Sequence, residues 1–156
     1  MCASGIAAQV VADATGDLAW SAIWGDMIGF DVNNPGTLAD GARTRDVYDA
    51  PAHGVTGFAF DIDGVPPGGH LRVGFATRGT ENDAAYWGGA STDLSPIMSS
   101  GHYEIRWPEV GGPLYLPNPP PFDPAKLDAI RFHVVANDLQ TIPFSFCVSN
   151  LMLLTN

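Results

Sequence analysis

The sequence predicts an all-β fold, an antiparallel β-sandwich of jelly-roll type with about eight strands and at most one short helical turn. Two observations carry this prediction. Apolar side chains recur with period two in segment after segment, as they do in strands with one face in a core and one toward solvent. Between those segments stand Gly- and Pro-rich turn signals, drawn from 18 glycines and 13 prolines spread along 156 residues. The length suits one domain, 1–156, and 46% hydrophobic residues suffice for a sizeable core.

Taken in order, the opening GIAAQVV is a weak strand, and SAIWGDMIGFDVNN is a stronger one with Ile28, Phe30 and Val32 inward. NNPG at 33–36 predicts a turn, and 34–54 a long loop enclosing a short edge strand at RDVYDA. In GVTGFAFDID, Phe58, Phe60 and Ile62 share the inward face. DGVPPGG then turns the chain into GHLRVGFAT, where Leu71, Val73 and Phe75 alternate with Arg72, Gly74 and Ala76. GHYEIRW places Tyr103, Ile105 and Trp107 opposite His102, Glu104 and Arg106. PNPPPFDP is too proline-rich for a central strand and predicts an ordered crossing segment anchored by Leu114, Leu116 and Phe122. DPAKL predicts the single helical turn, with Asp123 as N-cap and Pro124 at the first position. DAIRFHVVAN alternates Ile130, Phe132 and Val134 with Arg131, His133 and Val135. The last strand runs Phe144, Phe146, Val148 and then changes phase to Leu151 and Leu153, which predicts a β-bulge near Ser149–Asn150.

Charge narrows the partners. The formal net charge is −10 and Lys126 is the one lysine. Without a basic run the chain cannot displace counterions from phosphates, so nucleic acid is not an expected partner. An anionic membrane surface is disfavoured for the same reason, and no segment is long and apolar enough to span a bilayer. The first residues, MCASGIAAQVVADATG, lack the pattern of a signal peptide, and Met1 is compatible with a start after a removed leader. The scattered aspartates are read as turn formers, with a Ca²⁺ site as the alternative for a few of them. Cys2 and Cys147 lie at opposite ends. Two unrelated thiols would suit an intracellular protein. The expected reading is a Cys2–Cys147 disulfide, which needs the first and last strands to be neighbours, as sandwiches often supply, and implies export to an oxidising compartment.

Three stretches together resemble the galactose-binding-like jelly rolls that include many bacterial carbohydrate-binding modules. They are YDAPAHGVTGFAFDID, GHYEIRWPEVGG and FDPAKLDAIRFHVVANDLQTIPFSFCVSNLMLL. The chain is similar in particular to secreted bacterial domains that pair a Cys near the N-terminus with one in the last strand. The resemblance implies a secreted domain of a family whose members bind different glycans, while some bind none or serve as structural domains. It allows a structural Ca²⁺ near the chain ends, with Asn150 standing where an Asp is frequent.

The candidate ligand-binding residues come from the residues themselves. Tyr86 and Trp87 sit in ENDAAYWGGA, a loop-like stretch, where an aromatic ring could stack on the C–H face of a sugar. Gly88 and Gly89 would permit close approach, and Asn82 and Asp83 would supply polar partners. The alternative is a plug folded over an open end of the sandwich. Arg72, Arg131 and His133, with Asn137, Glu104 and Arg106 on comparable faces, would form a polar sheet face able to bond vicinal hydroxyls if their strands share a sheet. The alternative is a salt-bridged solvent face. Tyr48 and Tyr115 are secondary candidates for the rim, while Trp24 and Trp107 are expected in the core. Catalysis is not expected. Glu81, Glu104 and Glu109 are few for a glycosidase, no GxSxG stretch occurs, and Ser99 and Ser100 near His102 do not by themselves make a triad. The four histidines follow no metal-ligand spacing. The expected function is glycan binding. The runner-up is a structural subunit of an extracellular filament or surface layer, in which self-association would use the YWGGA loop and the Pro-rich segment.

Overall fold

The computed structural model describes residues 1–20, 25–37, 43–77, 97–111 and 122–156, and among these it contains nine strands and no α-helix. They are β1 (Cys2–Ala7), β2 (Gly25–Asp31), β3 (Asn33–Thr37), β4 (Arg43–Asp46), β5 (Val55–Asp63), β6 (Leu71–Thr77), β7 (Gly101–Arg106), β8 (Leu127–Val135) and β9 (Ile142–Thr155). One sheet has the order β1-β9-β5-β7 and the other β2-β8-β6, and every pairing is antiparallel. From β5 to β9 each successive strand changes sheet, which is how a jelly roll wraps its chain. Ile97 forms an isolated antiparallel bridge to Leu71 on β6. The predicted sandwich is therefore the observed fold.

The period-two residues meet in the middle. Phe58, Phe60 and Ile62 of β5 pack with Leu71, Val73 and Phe75 of β6 and Ile130, Phe132 and Val134 of β8 in one core cluster, each at most 2% exposed. Phe60 meets Phe132 edge-on at 5.0 Å and stacks on Tyr103 at 5.5 Å. Each such side chain contributes roughly 1.5–3 kcal/mol through burial. Trp107 is buried as expected, and its indole N–H donates to the Val55 carbonyl at 2.9 Å. Phe122 packs on Phe75 and Trp107, so the end of the Pro-rich segment is anchored. The turn at Pro124–Lys126 is 3-10, with the Asp123 carboxylate accepting from the Ala125 N–H. Among the described residues three further 3-10 turns, at Pro51–His53, Pro67–Gly69 and Trp107–Glu109, add to the one expected.

The termini are joined as the sandwich reading requires. β1 lies along the first half of β9, and Cys2 and Cys147 form a disulfide. Met1 and Val148 exchange two backbone hydrogen bonds, so the next rung, Cys2–Cys147, is a non-hydrogen-bonded pair, where Cα atoms approach most closely.

Two local readings change. NNPG is not a turn but most of β3, which pairs with β4 through a register shift between Asn33 and Gly36. Pro35 is tolerated because the ladder is irregular there. The bulge in β9 is where the phase slip places it. Asp61 pairs with Ser149 and Ala59 with Met152, leaving Asn150 and Leu151 opposite Phe60, and Asn150 has φ of 49°. The slip does not bury the residues beyond it, however: Leu151 and Leu153 remain 39% and 44% exposed.

Candidate functional site

The outer face of the three-stranded sheet gathers three of the predicted residues. β6, β8 and β2 run side by side, and their inward residues fix the outward ones by alternation. Arg72 stands directly opposite His133, with Met27 on the far side of the same rung. On the next outward rung Arg131 stands between Gly74 and Gly29. Arg72, Arg131 and His133 are half-buried, while Met27 is 46% exposed.

The glycines on this face have a spatial cause. A Cβ at Gly29 would lie 3.0 Å from Arg131 Cγ and 2.9 Å from the Ile130 carbonyl oxygen. A Cβ at Gly25 would collide with the Val134 carbonyl and lie 3.0 Å from His133 Nε2, and Gly25 also holds φ of 128°. β2 is thus bare at Gly29, beside Arg131, and at Gly25, while Met27 fills the rung of His133 between them. The result is a low surface whose polar heads come from β6 and β8.

At the β2 edge this face adjoins a cleft of about 350 Å³ between the two sheets. Cys2, Ala3, Ser4, Asp26, Met27, Phe144 and Phe146 line it. Asp26 pairs with Val134 and so occupies an inward phase, yet it is exposed because β2 is an edge strand. A charge pointing inward at an edge discourages pairing with a foreign strand.

The other predicted residues lie elsewhere. Tyr48 bridges Leu127 at the start of β8, six residues from His133 and so about 20 Å away along the strand. Its ring stacks on His53 at 5.1 Å and packs against the core, which removes it from the polar face. Asn137 caps the turn after β8, accepting from the Leu139 and Gln140 amides. Glu104 and Arg106 belong to β7, in the other sheet. Arg106 there donates to the Thr56 hydroxyl at 2.6 Å. Tyr86, Trp87, Asn82 and Asp83 fall outside the described residues, as do Tyr115 and Trp24.

A second polar cluster, on the outer face of the larger sheet, was not singled out by the sequence. Asp61 on β5 pairs in register with His102 on β7, and Asp61 Oδ1 lies 2.6 Å from His102 Nδ1. Asn150, turned by the bulge, donates to the other Asp61 oxygen. His102 Nε2 faces Glu104 Oε1 at 3.7 Å. The Asn150 and His102 hydrogen bonds hold the Asp61 carboxyl below its ordinary value, and the bond to Asp61 raises the His102 imidazole above its own. No hydroxyl nucleophile completes a catalytic set here among the described residues. Ser100 Oγ accepts from the Gly64 amide, and Ser99 bonds with Tyr103. Nor do three His, Cys, Asp or Glu side chains gather to hold a metal ion among the described residues. The only sequence clue to this cluster was outward phase in two strands; the pairing itself needs the register.

Compared with known proteins, the chain matches no family model, no curated protein and no solved structure.

Proposed function

We propose that this protein is a non-catalytic carbohydrate-binding domain. The observation that carries the reading is the in-register grouping of Arg72, His133 and Arg131 on one sheet face, with Gly74 and Gly29 flanking Arg131. Guanidinium and imidazole groups in fixed directions suit the paired hydroxyls of a sugar ring. Tyr86 and Trp87, from the sequence, would supply the ring to stack on. The Cys2–Cys147 disulfide supports export to an oxidising compartment, and with it a secreted protein. A structural Ca²⁺ near the chain ends belongs to this reading only through the family resemblance.

The test is a glycan array followed by affinity electrophoresis on whichever polysaccharide is retained. Arg131→Gln and Trp87→Ala should each lose retention while the thermal transition stays close to wild type. Binding that survives both substitutions, or no binding to any glycan, overturns the proposal. A second reading, the subunit of an extracellular assembly, is favoured by one feature, the exposed apolar run Leu151–Leu153 in β9.

A further inference from the structure

We propose that the cleft between β1 and β2 binds a small organic ammonium ion, a positively charged nitrogen carried on an aromatic stem. The cleft opens between the edges of the two sheets, β1 being an outer strand of one and β2 of the other. Its volume of about 350 Å³ lies in the lower range of small-molecule sites and suits one ring with a short arm. The space has a cause in the sequence. Alternation puts Ala3 and Gly5 of β1 on the inward face, where larger side chains would close the gap. Phe144 lies across Gly5, whose added Cβ would come within 3.1 Å of the ring. On the facing wall Ile28 and Phe30 of β2 pack against the core, but Asp26 takes the next inward position. Both walls are interior rungs of their ladders, Ala3 pairing with Phe146 and Asp26 with Val134.

The chemistry of the walls selects the ligand. Among the described residues Asp26 has no hydrogen-bond or ion-pair partner. A guard against foreign strands needs only a charge at the edge. Here the charge also stands at the mouth of a space lined by the rings of Phe144 and Phe146, whose centroids are 6.1 Å apart. A cation beside Asp26 gains an ion pair and cation–π attraction, and its aromatic stem gains burial against the phenylalanines. Main-chain groups add direction. Met1 and Val148 form a hydrogen-bonded pair, so Cys2 and Ser4 fall on non-hydrogen-bonded rungs and their carbonyls face the open edge. Those carbonyls can accept from the remaining ammonium hydrogens. An anion would meet Asp26, and the net charge of −10 favours the approach of a cation. The site does not rest on glycan binding, because Arg72, His133 and Arg131 stand on the outer surface of the sheet rather than between the sheets.

An NMR titration of the intact oxidised protein with phenethylammonium, to about 10 mM, covers the weak affinities expected of a one-ring ligand. Saturable shifts are expected at the amides of Ala3, Ser4, Asp26, Met27 and Phe146. Phenethyl alcohol keeps the ring and arm without the charge, and methylammonium keeps the charge without the ring. Each should bind about tenfold more weakly or worse. Asp26→Asn should weaken phenethylammonium to the level of the alcohol. The proposal is overturned by the absence of saturable shifts at these amides, by equal affinity for either truncated probe, or by a folded Asp26→Asn protein that binds as the wild type does. If that variant does not fold, the comparison of ammonium with alcohol on the wild type decides. A preference of about tenfold for the ammonium supports the site, and no preference overturns it.

Discussion

His102 on β7 and Asp61 on β5 face each other across one rung of the four-stranded sheet, Nδ1 2.6 Å from Oδ1. The pair is exposed, so its energetic weight is small, but its direction is defined. Asp61 is held below 3.8, first by the Asn150 hydrogen bond and then by His102, so its contribution is present above the unfolded carboxylate value and lost as pH falls through the lowered one. His102 is raised above 6.5, first by its bond to Asp61, so its contribution is full below the unfolded value and lost as pH rises through the raised one. Stability from this pair is therefore greatest between the two. An NMR titration should place the His102 midpoint above 6.5, and Asp61→Asn should return it toward that ordinary value. A wild-type midpoint at or below 6.5 contradicts the assignment.

The disulfide closes nearly the whole chain, with a sequence separation of 145 from Cys2 to Cys147. Restricting the unfolded chain by such a loop is worth about 5 kcal/mol in the chain-entropy model, and native disulfides deliver about 2–5. Cys2→Ser with Cys147→Ser should lower the urea-unfolding free energy by that amount. β1, an exposed edge strand held by β9, should be the first element to lose amide protection. A loss under about 1 kcal/mol would show that the closure hardly constrains the unfolded chain.

Most of the sandwich was legible because alternation is a local signal. Phe58, Phe60 and Ile62, or Ile130, Phe132 and Val134, need no partner strand to declare an inward face. The bulge was legible for the same reason: Val148 and Leu151 are out of phase in one strand. NNPG was misread because proline signals a turn locally, while tolerance of Pro35 depends on an irregular ladder with a distant strand. The site divides in the same way. The outward phase of Arg72 and His133 could be read from each strand alone, but their shared rung needed the strand order. The Asp61–His102–Asn150 linkage joins three strands through two registers and a bulge, none of which local sequence encodes. Tyr48 bridges Leu127, at the opposite end of β8 from His133, while the Tyr86–Trp87 loop whose rim it was expected to share lies outside the described residues.

Gly29 offers a test of the polar face that leaves its functional groups in place. Gly29→Ala sets a methyl 2.9 Å from the Ile130 carbonyl oxygen and 3.0 Å from Arg131 Cγ, so β2 must ease away from the β8 backbone and the Arg131 stem must shift. Because β2 is an edge strand it can ease outward, and the stability cost should be about 1–3 kcal/mol. Glycan retention should fall several-fold, since bonds to fixed hydroxyls tolerate little displacement of the donor. Gly25→Ala should cost more, because its φ of 128° is strained for any side chain and the new methyl meets the Val134 backbone. Unchanged retention in a folded Gly29→Ala protein would detach Arg131 from ligand binding.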